Sequence, residues 1–294
     1  MEVSPALPGE LGDQLVDLIA RVTEKQGAPP FGEVLRAAMN DPGGGDLGYA
    51  AWQHARLVSY AFAAPNPDGR VWTLEVADAS GQPDRFLGEV VGGLDAAEIE
   101  ETVLWLHTPL IEPPPALFAH ERDLYRMAAA LPVPAISKPP AGVRFTGFDV
   151  GRDARALIDV NNRAFEGHPE QGNWSVQDLV RRTSLPWFDP RGVRTGWIDD
   201  RLVAFHWTKV HDAPAPDGGA LGEIYVLAVD PAFSGRGLGR AIALDGLEYL
   251  SHHRKASRAI LYVDAANVAA VNLYRRLGFM TEHTDRAYRR TRGG

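Results

Sequence analysis

The chain has no cysteine among its 294 residues, which excludes disulfides, thiolate metal sites and a cysteine nucleophile. It also lacks any apolar run near the ~20 residues that a membrane-spanning helix needs. The opening Met1-Glu2-Val3-Ser4-Pro5 has neither a basic region nor an apolar core, so no secretory leader is read there and a cytoplasmic protein is expected. Positive charge is in the minority: 30 Lys and Arg against 38 Asp and Glu leave a formal net charge of -8. A binder of phosphate backbones normally presents a basic face, so nucleic acid is not an expected partner. Lysine itself is confined to Lys25, Lys138, Lys209 and Lys255. What the chain does have is length for two ordinary domains and a hydrophobic fraction of 45%, enough for each to bury its own core.

The clearest seam is the run from Leu131 to Gly142, where Pro132, Pro134, Pro139 and Pro140 exclude regular helix or sheet. It suggests a division into residues 1–135, a linker over 136–142, and residues 143–294. In the second part, helical spacing runs from Asp153 to Phe165, and Ser175 with Asp178 three residues on reads as a capped helix start. Thr195 to Ile198 and Leu202 to Val210 read as strands joined at Asp199-Asp200, and a third strand begins at Glu223. A helix over Leu238–His253, a strand over Ala259–Val263 and a helix over Val268–Leu277 follow, the last capped by Asn267 and ended by Gly278. Phe279 to Arg289 reads as the closing strand. The first part suggests a worn copy, with a helix over Leu11–Val22, strands over Leu57–Ala64 and Val71–Ala77, and a further helix over Asp95–Leu106.

Residues 223–240 carry the strongest chemical signal. An apolar strand runs through Asp230-Pro231 into Ser234-Gly235-Arg236-Gly237-Leu238-Gly239-Arg240 and then a helix. Glycines let a ligand approach the backbone, and the unpartnered N–H groups at the helix start carry the positive end of its dipole. A pyrophosphate suits such a place. A triphosphatase loop would end in Gly-Lys-Ser/Thr, and a dinucleotide fingerprint needs Gly-x-Gly-x-x-Gly; here Gly239 precedes Arg240-Ala241, and Ile242 fills the third glycine slot. A plain surface turn stays open as the alternative.

Strand, Asp-Pro and short basic glycine loop together resemble the coenzyme A loop of the GNAT acetyltransferases, which reads Arg/Gln-x-x-Gly-x-Gly/Ala. Gly237 and Gly239 match it, while Ser234 stands where Arg or Gln is usual. The element order of the second part is that of a GNAT domain. The resemblance implies a mixed α/β fold of the α+β type, in two tandem GNAT-like domains, each a twisted mixed sheet flanked by helices. In the first half the corresponding loop, Asp78 to Arg85, has two acids and a proline ahead of its arginine where a phosphate cradle wants glycine and basic residues. Weak or no coenzyme binding is expected of it.

Within that superfamily, Asn161 to Gly172, Phe205 to His211, Gly222 to Leu227, and Asn267 to Val271 with Tyr274 and Leu277-Gly278-Phe279 are similar to the mycothiol synthase family, tandem GNAT proteins of actinobacteria. The similarity covers residues 143–290 and is faint over 1–135, where it rests on the tandem layout and Gly32-Glu33-Val34-Leu35. It implies acetyl transfer from acetyl-CoA to the cysteinyl amine of Cys-GlcN-Ins, a small thiol pseudo-disaccharide. It also implies a coenzyme site made by Leu227, Ala228 and Val229, by Ser234 to Arg240, and by Asn267, Val268, Ala269, Ala270, Val271 and Asn272. The acceptor would be held by Glu33, Glu170, Lys209, Glu223 and Tyr262. Neither a metal nor a membrane is implied, and a monomer is expected.

The chemistry can be reached from the residues as well. Acyl transfer from a thioester to an amine needs a neutral amine, a polarised carbonyl and a protonated leaving thiolate. Glu223 is an acid inside an apolar strand, where strand alternation would group it with Tyr225, Leu227 and Val229 and where desolvation makes a carboxylate a better base; a strand-end carboxylate that is exposed or paired with Lys209 is the alternative. Leu227 and Val229 offer backbone N–H groups to a carbonyl if the strand splays from its neighbour. Tyr274, two helical turns past the Asn267 cap, is the general acid by resemblance and otherwise a tyrosine packed on Phe279. His206 and His211 share a strand but lack a third ligand, so no metal site is read there. Other readings are a GNAT enzyme for a different small amine or peptide N-terminus, and a non-catalytic acetyl-CoA-binding regulator.

Overall fold

Residues 2–43, 45–66, 69–107, 112–114, 116–134, 138–167 and 171–293 are described by the computed structural model. In chain order the elements are β1 (Glu2–Pro5), α1 (Pro8–Leu11), α2 (Asp13–Gln26), α3 (Glu33–Asn40), β2 (Leu47–Gln53), β3 (Arg56–Pro65), β4 (Val71–Asp78), α4 (Pro83–Ala96), β5 (Glu101–Leu106) and β6 (Ala119–Ala130). They continue as β7 (Arg144–Gly147), α5 (Val150–Ala164), α6 (Val176–Thr183), β8 (Val193–Ile198), β9 (Arg201–Val210), β10 (Ala220–Val229), α7 (Leu238–His252), β11 (Ala256–Asp264), α8 (Val268–Arg276) and β12 (Met280–Thr291).

Two compact units result. The first takes the chain through Tyr125 with Asp264–Ala266 and His283–Gly294, and the second takes Arg126–Val263 with Asn267–Glu282. The units therefore part at Tyr125, ahead of the proline-rich seam, and most of the C-terminal strand belongs to the first unit. The reason is strand pairing: Arg286 to Thr291 of β12 lie antiparallel to Leu106 to Glu101 of β5. Ile136 and Ser137, at the start of the expected linker, lie outside the described residues.

In the first unit the strand order is β1-β2-β3-β4-β5-β12, antiparallel except for the parallel pair β4–β5 joined by α4. Leu74, Phe86, Leu87, Val90, Leu94 and Leu104 fill one face of this sheet, and Leu18, Phe31, Leu35, Tyr60 and Phe62 the other. The helix expected over Asp95–Leu106 is not formed. Helix α4 starts at Pro83, with its fixed φ in the first turn, and ends at Ala96; Glu98 turns left-handed at φ 57°, and Thr102, Val103 and Trp105 suit the strand that follows.

The second unit repeats the plan as β7-β8-β9-β10-β11, again antiparallel until the parallel pair β10–β11 with α7 as crossover. Trp207, Phe205, Val226 and Ala228 pack with Leu157, Val160 and Leu179 of α5 and α6 on one face. Helix α8 follows its sequence signals: Asn267 Oδ1 accepts from Ala270 N at 3.1 Å, and Gly278 takes φ 92° just past the end. Ser175 and Asp178 form the reciprocal capping box at α6.

Candidate active site

Strand β10 is paired on both sides at its start and on one side at its end. Its parallel register with β11 runs through Glu223↔Ile260 and stops at Ile224↔Leu261, whereas the antiparallel register with β9 continues to Val229↔Ala204. Asp230 N donates to Val203 O at 2.8 Å. In an antiparallel pair, N–H groups alternate in direction, so those of Ala228 and Val226 also face β9 while those of Leu227 and Val229 face the opened edge. The strand splays from β11 and leaves two N–H donors of one strand aimed into the gap.

A β-bulge lies within this strand. Ile224 stands opposite Thr208, but Val226 stands opposite Trp207, with Tyr225 as the extra residue. This corrects the simple alternation expected from the sequence. Glu223, opposite Lys209, shares its face with Tyr225, Val226 and Trp207, and the bulge turns Leu227 and Val229 to the opposite face, which carries His206. On the Glu223 face an aromatic wall forms: the Trp187 ring lies 4.9 Å from that of Tyr225 and 6.4 Å from that of Trp207. Lys209 Nζ sits 5.1 Å from the centre of Trp187, and Arg182 donates to the Tyr225 hydroxyl at 2.6 Å.

Glu223 is 7% exposed, and His211 Nε2 lies 2.6 Å from its Oε2. The sequence suggests Lys209 as the partner; the partner of this oxygen is an imidazole twelve residues away, beyond a loop, where no local signal marks it. The other histidine of the pair serves packing. His206 is fully buried, its Nδ1 lies 3.2 Å from Ile242 O, and a Cβ on Gly246 would collide with its ring. Burial pulls its pKa down to about 4, so the ring is neutral. Among the described residues no group of three or more His, Asp or Glu is placed to hold a metal.

The loop after β10 is anchored by Asp230, which is 1% exposed. Its Oδ1 accepts from Ala232 N at 3.0 Å, and its Oδ2 accepts from Arg163 at 2.9 Å and Arg201 at 2.8 Å. Burial acts against the charge, but the Ala232 N–H and the two guanidinium groups outweigh it and hold the carboxyl below its ordinary range. Beyond the turn Pro231–Phe233, Gly235 and Gly237 adopt φ 77° and 78°, a region that costs other residues strain. A Cβ added at either would point into open space. Gly237 is the N-cap of the 15-residue helix α7 and supplies no side-chain cap, so the first-turn N–H groups of Leu238, Gly239 and Arg240 lack intrahelical acceptors. Ser234, Arg236 and Arg240 are exposed around them. Unpartnered N–H groups at a helix start with arginines beside them suit an anionic group.

Helix α8 reaches the same corner: a Cβ on Gly239 would lie 3.5 Å from Leu273 and 3.6 Å from Val229. Tyr274 on α8 is buried, its ring 6.0 Å from that of Phe279 in an edge-on arrangement. Burial pushes the phenol pKa up, which keeps it protonated. Val268, Ala269 and Asn272 are exposed, Ala270 is half-buried, Val271 points into the core, and the Asn267 side chain is engaged in capping. Tyr262 on β11 is 46% exposed. Glu33 opens α3 in the first unit and is exposed. Glu170 lies outside the described residues.

The first unit has a carboxylate at the matching place. Glu75 stands in the last registered pair of β4–β5, opposite Trp105. Both of its oxygens are taken, Oε2 by Gly32 N at 2.6 Å and Oε1 by His107 Nε2 at 3.0 Å. In the following loop Asp78 Oδ1 accepts from Ser80 Oγ at 2.7 Å, and Ser80 Oγ in turn accepts from Gln82 N at 3.0 Å.

Comparison with known proteins follows the same lines. Residues 155–279 match the acetyltransferase (GNAT) family. The chain is 37% identical over 290 residues to the mycothiol acetyltransferase of Kocuria rhizophila, covering 94% of this chain and 95% of the relative. It is 38% identical over 297 residues to that of Thermobispora bispora, covering 95% and 96%. Among solved structures, a GCN5-related N-acetyltransferase from Sphaerobacter thermophilus superposes with a TM-score of 0.73 at 19% identity, over 99% of this chain and 95% of that one. A tandem GNAT protein from the clavulanic acid biosynthesis pathway gives 0.68 at 16% identity, over 100% and 99%. These two establish the fold.

Proposed function

The chain belongs to the mycothiol acetyltransferase family, and from that premise we propose that it acetylates the cysteinyl amine of Cys-GlcN-Ins with acetyl-CoA, forming mycothiol in the second unit. The observation that carries the assignment to this place is the splay of β10 from β11 directly after Glu223 and Ile224, with the glycine cradle at the far end of the same strand.

Acetyl-CoA fits the cradle by charge and by room. Gly235, Gly237 and the start of α7 would receive the pyrophosphate, with Arg236 and Arg240 beside it. When bound, the coenzyme supplies an activated acetyl thioester. The chain's own groups do the rest. The N–H groups of Leu227 and Val229 donate to the acetyl carbonyl oxygen, where negative charge develops. Glu223 accepts the amine proton, directly or through one water. Tyr274, kept protonated by burial, donates to the departing sulfur. Lys209, Glu223 and Tyr262 hold the hydroxyl-rich acceptor, and the wall of Trp187 and Tyr225 excludes water from it.

The first unit takes a structural role in this reading. Its Glu75 is occupied by Gly32 and His107, so that carboxylate is not free to act as a base, and Asp78, Ser80 and the Gln82 N–H are bonded to one another in the loop after β4. The test of the whole reading is acetyl transfer to Cys-GlcN-Ins measured beside a panel of simple amines.

A further inference from the structure

His211 follows β9 directly. Its backbone N–H donates to Leu221 O at 2.9 Å, which fixes the residue beside the first residues of β10. From there its Nε2 reaches Glu223 Oε2 at 2.6 Å. The two partners differ in exposure: the Glu223 side chain is 10% exposed and that of His211 22%. The imidazole therefore lies on the outer side of a nearly buried carboxylate. Among the described residues, Lys209 is in register with Glu223 on β9, Asp212 follows His211 in the chain, and Arg258, in register with Leu221 on β11, is turned to Glu282.

A buried carboxylate needs a hydrogen-bond partner, and a donor on one oxygen fixes the direction in which the other points. We propose that His211 is the positioning residue for the base: its Nε2–H donates to Oε2 of Glu223, holding the carboxylate in one orientation with Oε1 left to take the amine proton. In that step the proton passes from the ammonium nitrogen to Oε1, the N–H electron pair stays on nitrogen as the nucleophilic lone pair, and His211 neither gains nor loses a proton. The proposal rests on the reading of Glu223 as the base.

The experiment compares His211→Leu and His211→Gln in the full chain, alone and combined with Glu223→Gln, by steady-state acetyl transfer between pH 6 and pH 9. His211→Leu is expected to lose about tenfold or more in kcat at pH 7. His211→Gln keeps an N–H donor and should restore kcat to within about threefold of wild type. The KM for acetyl-CoA should stay within about twofold for both. On the Glu223→Gln background, removal of His211 should cost nothing further. Wild-type rates in His211→Leu, equal losses in both variants, or losses that add on the Glu223→Gln background each overturn the proposal while leaving the assigned base in place. A wild-type chain that transfers no acetyl group to an amine overturns the reading of the site, and this proposal with it.

Discussion

Val226 stands opposite Trp207, displaced by one residue from the alternation that begins at Glu223 opposite Lys209. This single bulge lets one strand serve two faces. Glu223 and Tyr225 line the aromatic side where an acceptor would sit, and the N–H groups of Leu227 and Val229 open toward the gap left by β11. The proposed base and the proposed carbonyl donors therefore sit on one strand, and their relative position does not depend on loops.

Glu223→Gln keeps the shape of the residue and removes the proton acceptor. Acetyl-CoA should bind as before, and turnover at neutral pH should fall by on the order of 10²-fold or more. Rates within about twofold of wild type from pH 6 to pH 9 would remove Glu223 from the role of base.

Gly237→Glu puts a carboxylate at the mouth of the cradle and a side chain at φ 78°. Acetyl-CoA binding, followed by calorimetry, should be lost, because like charge replaces an open anion site. Gly237→Ala separates backbone strain from charge and should retain binding with a stability loss of about 1 kcal/mol. Saturable binding of one coenzyme per chain by the Glu variant would place a working cradle in the first unit.

Tyr274→Phe removes one hydroxyl and almost no volume. Packing against Phe279 should persist and stability should change by less than ~1.5 kcal/mol, while turnover falls by on the order of 10²-fold. Thioesters with better leaving groups should suffer less. Full activity joined to a much lower melting temperature would make Tyr274 a packing residue and nothing more.

His107 gives the first unit a pH signature. Burial favours the neutral ring, but hydrogen bonds that His107 donates to Asp285 and Glu75 outweigh it and raise the pKa from 6.5 to about 10. A group whose folded pKa is raised contributes stability that is complete below its unfolded pKa and is lost as pH rises through the folded value. The melting temperature should therefore decline between pH 6.5 and about 10, and His107→Gln should flatten that decline while lowering stability at pH 6. An unchanged alkaline slope in the variant would show that the pair Glu75–His107 carries no net linkage.

Much of the second unit could be read from local chemistry. Asn267, Gly278, the Ser175–Asp178 box and the glycine cradle each signal their structure within a few residues, and β8, β9 and α7 fall within one or two residues of their expected ends, with β10 starting three residues before Glu223. The rest depended on partners distant in sequence. The bulge at Tyr225 appears only once β9 is laid alongside, the His211–Glu223 hydrogen bond closes across a loop, and β12 finds β5 nearly two hundred residues earlier. Glu101 to Leu106 forms a strand where the sequence suggests helix, because Asp95-Ala96-Ala97-Glu98 extends the helical pattern of α4 and a left-handed Glu98 is not a local sequence signal.

The most direct test is the ratio of kcat/KM for Cys-GlcN-Ins to that for cysteine, glucosamine and spermidine, with acetyl-CoA as donor and the product analysed for acetyl on nitrogen. A site that holds a sugar and an inositol through Lys209, Glu223 and Tyr262 should favour the full acceptor by on the order of 100-fold or more and yield the amide. Comparable constants across the panel, or acetyl transfer to sulfur alone, would contradict the assigned acceptor.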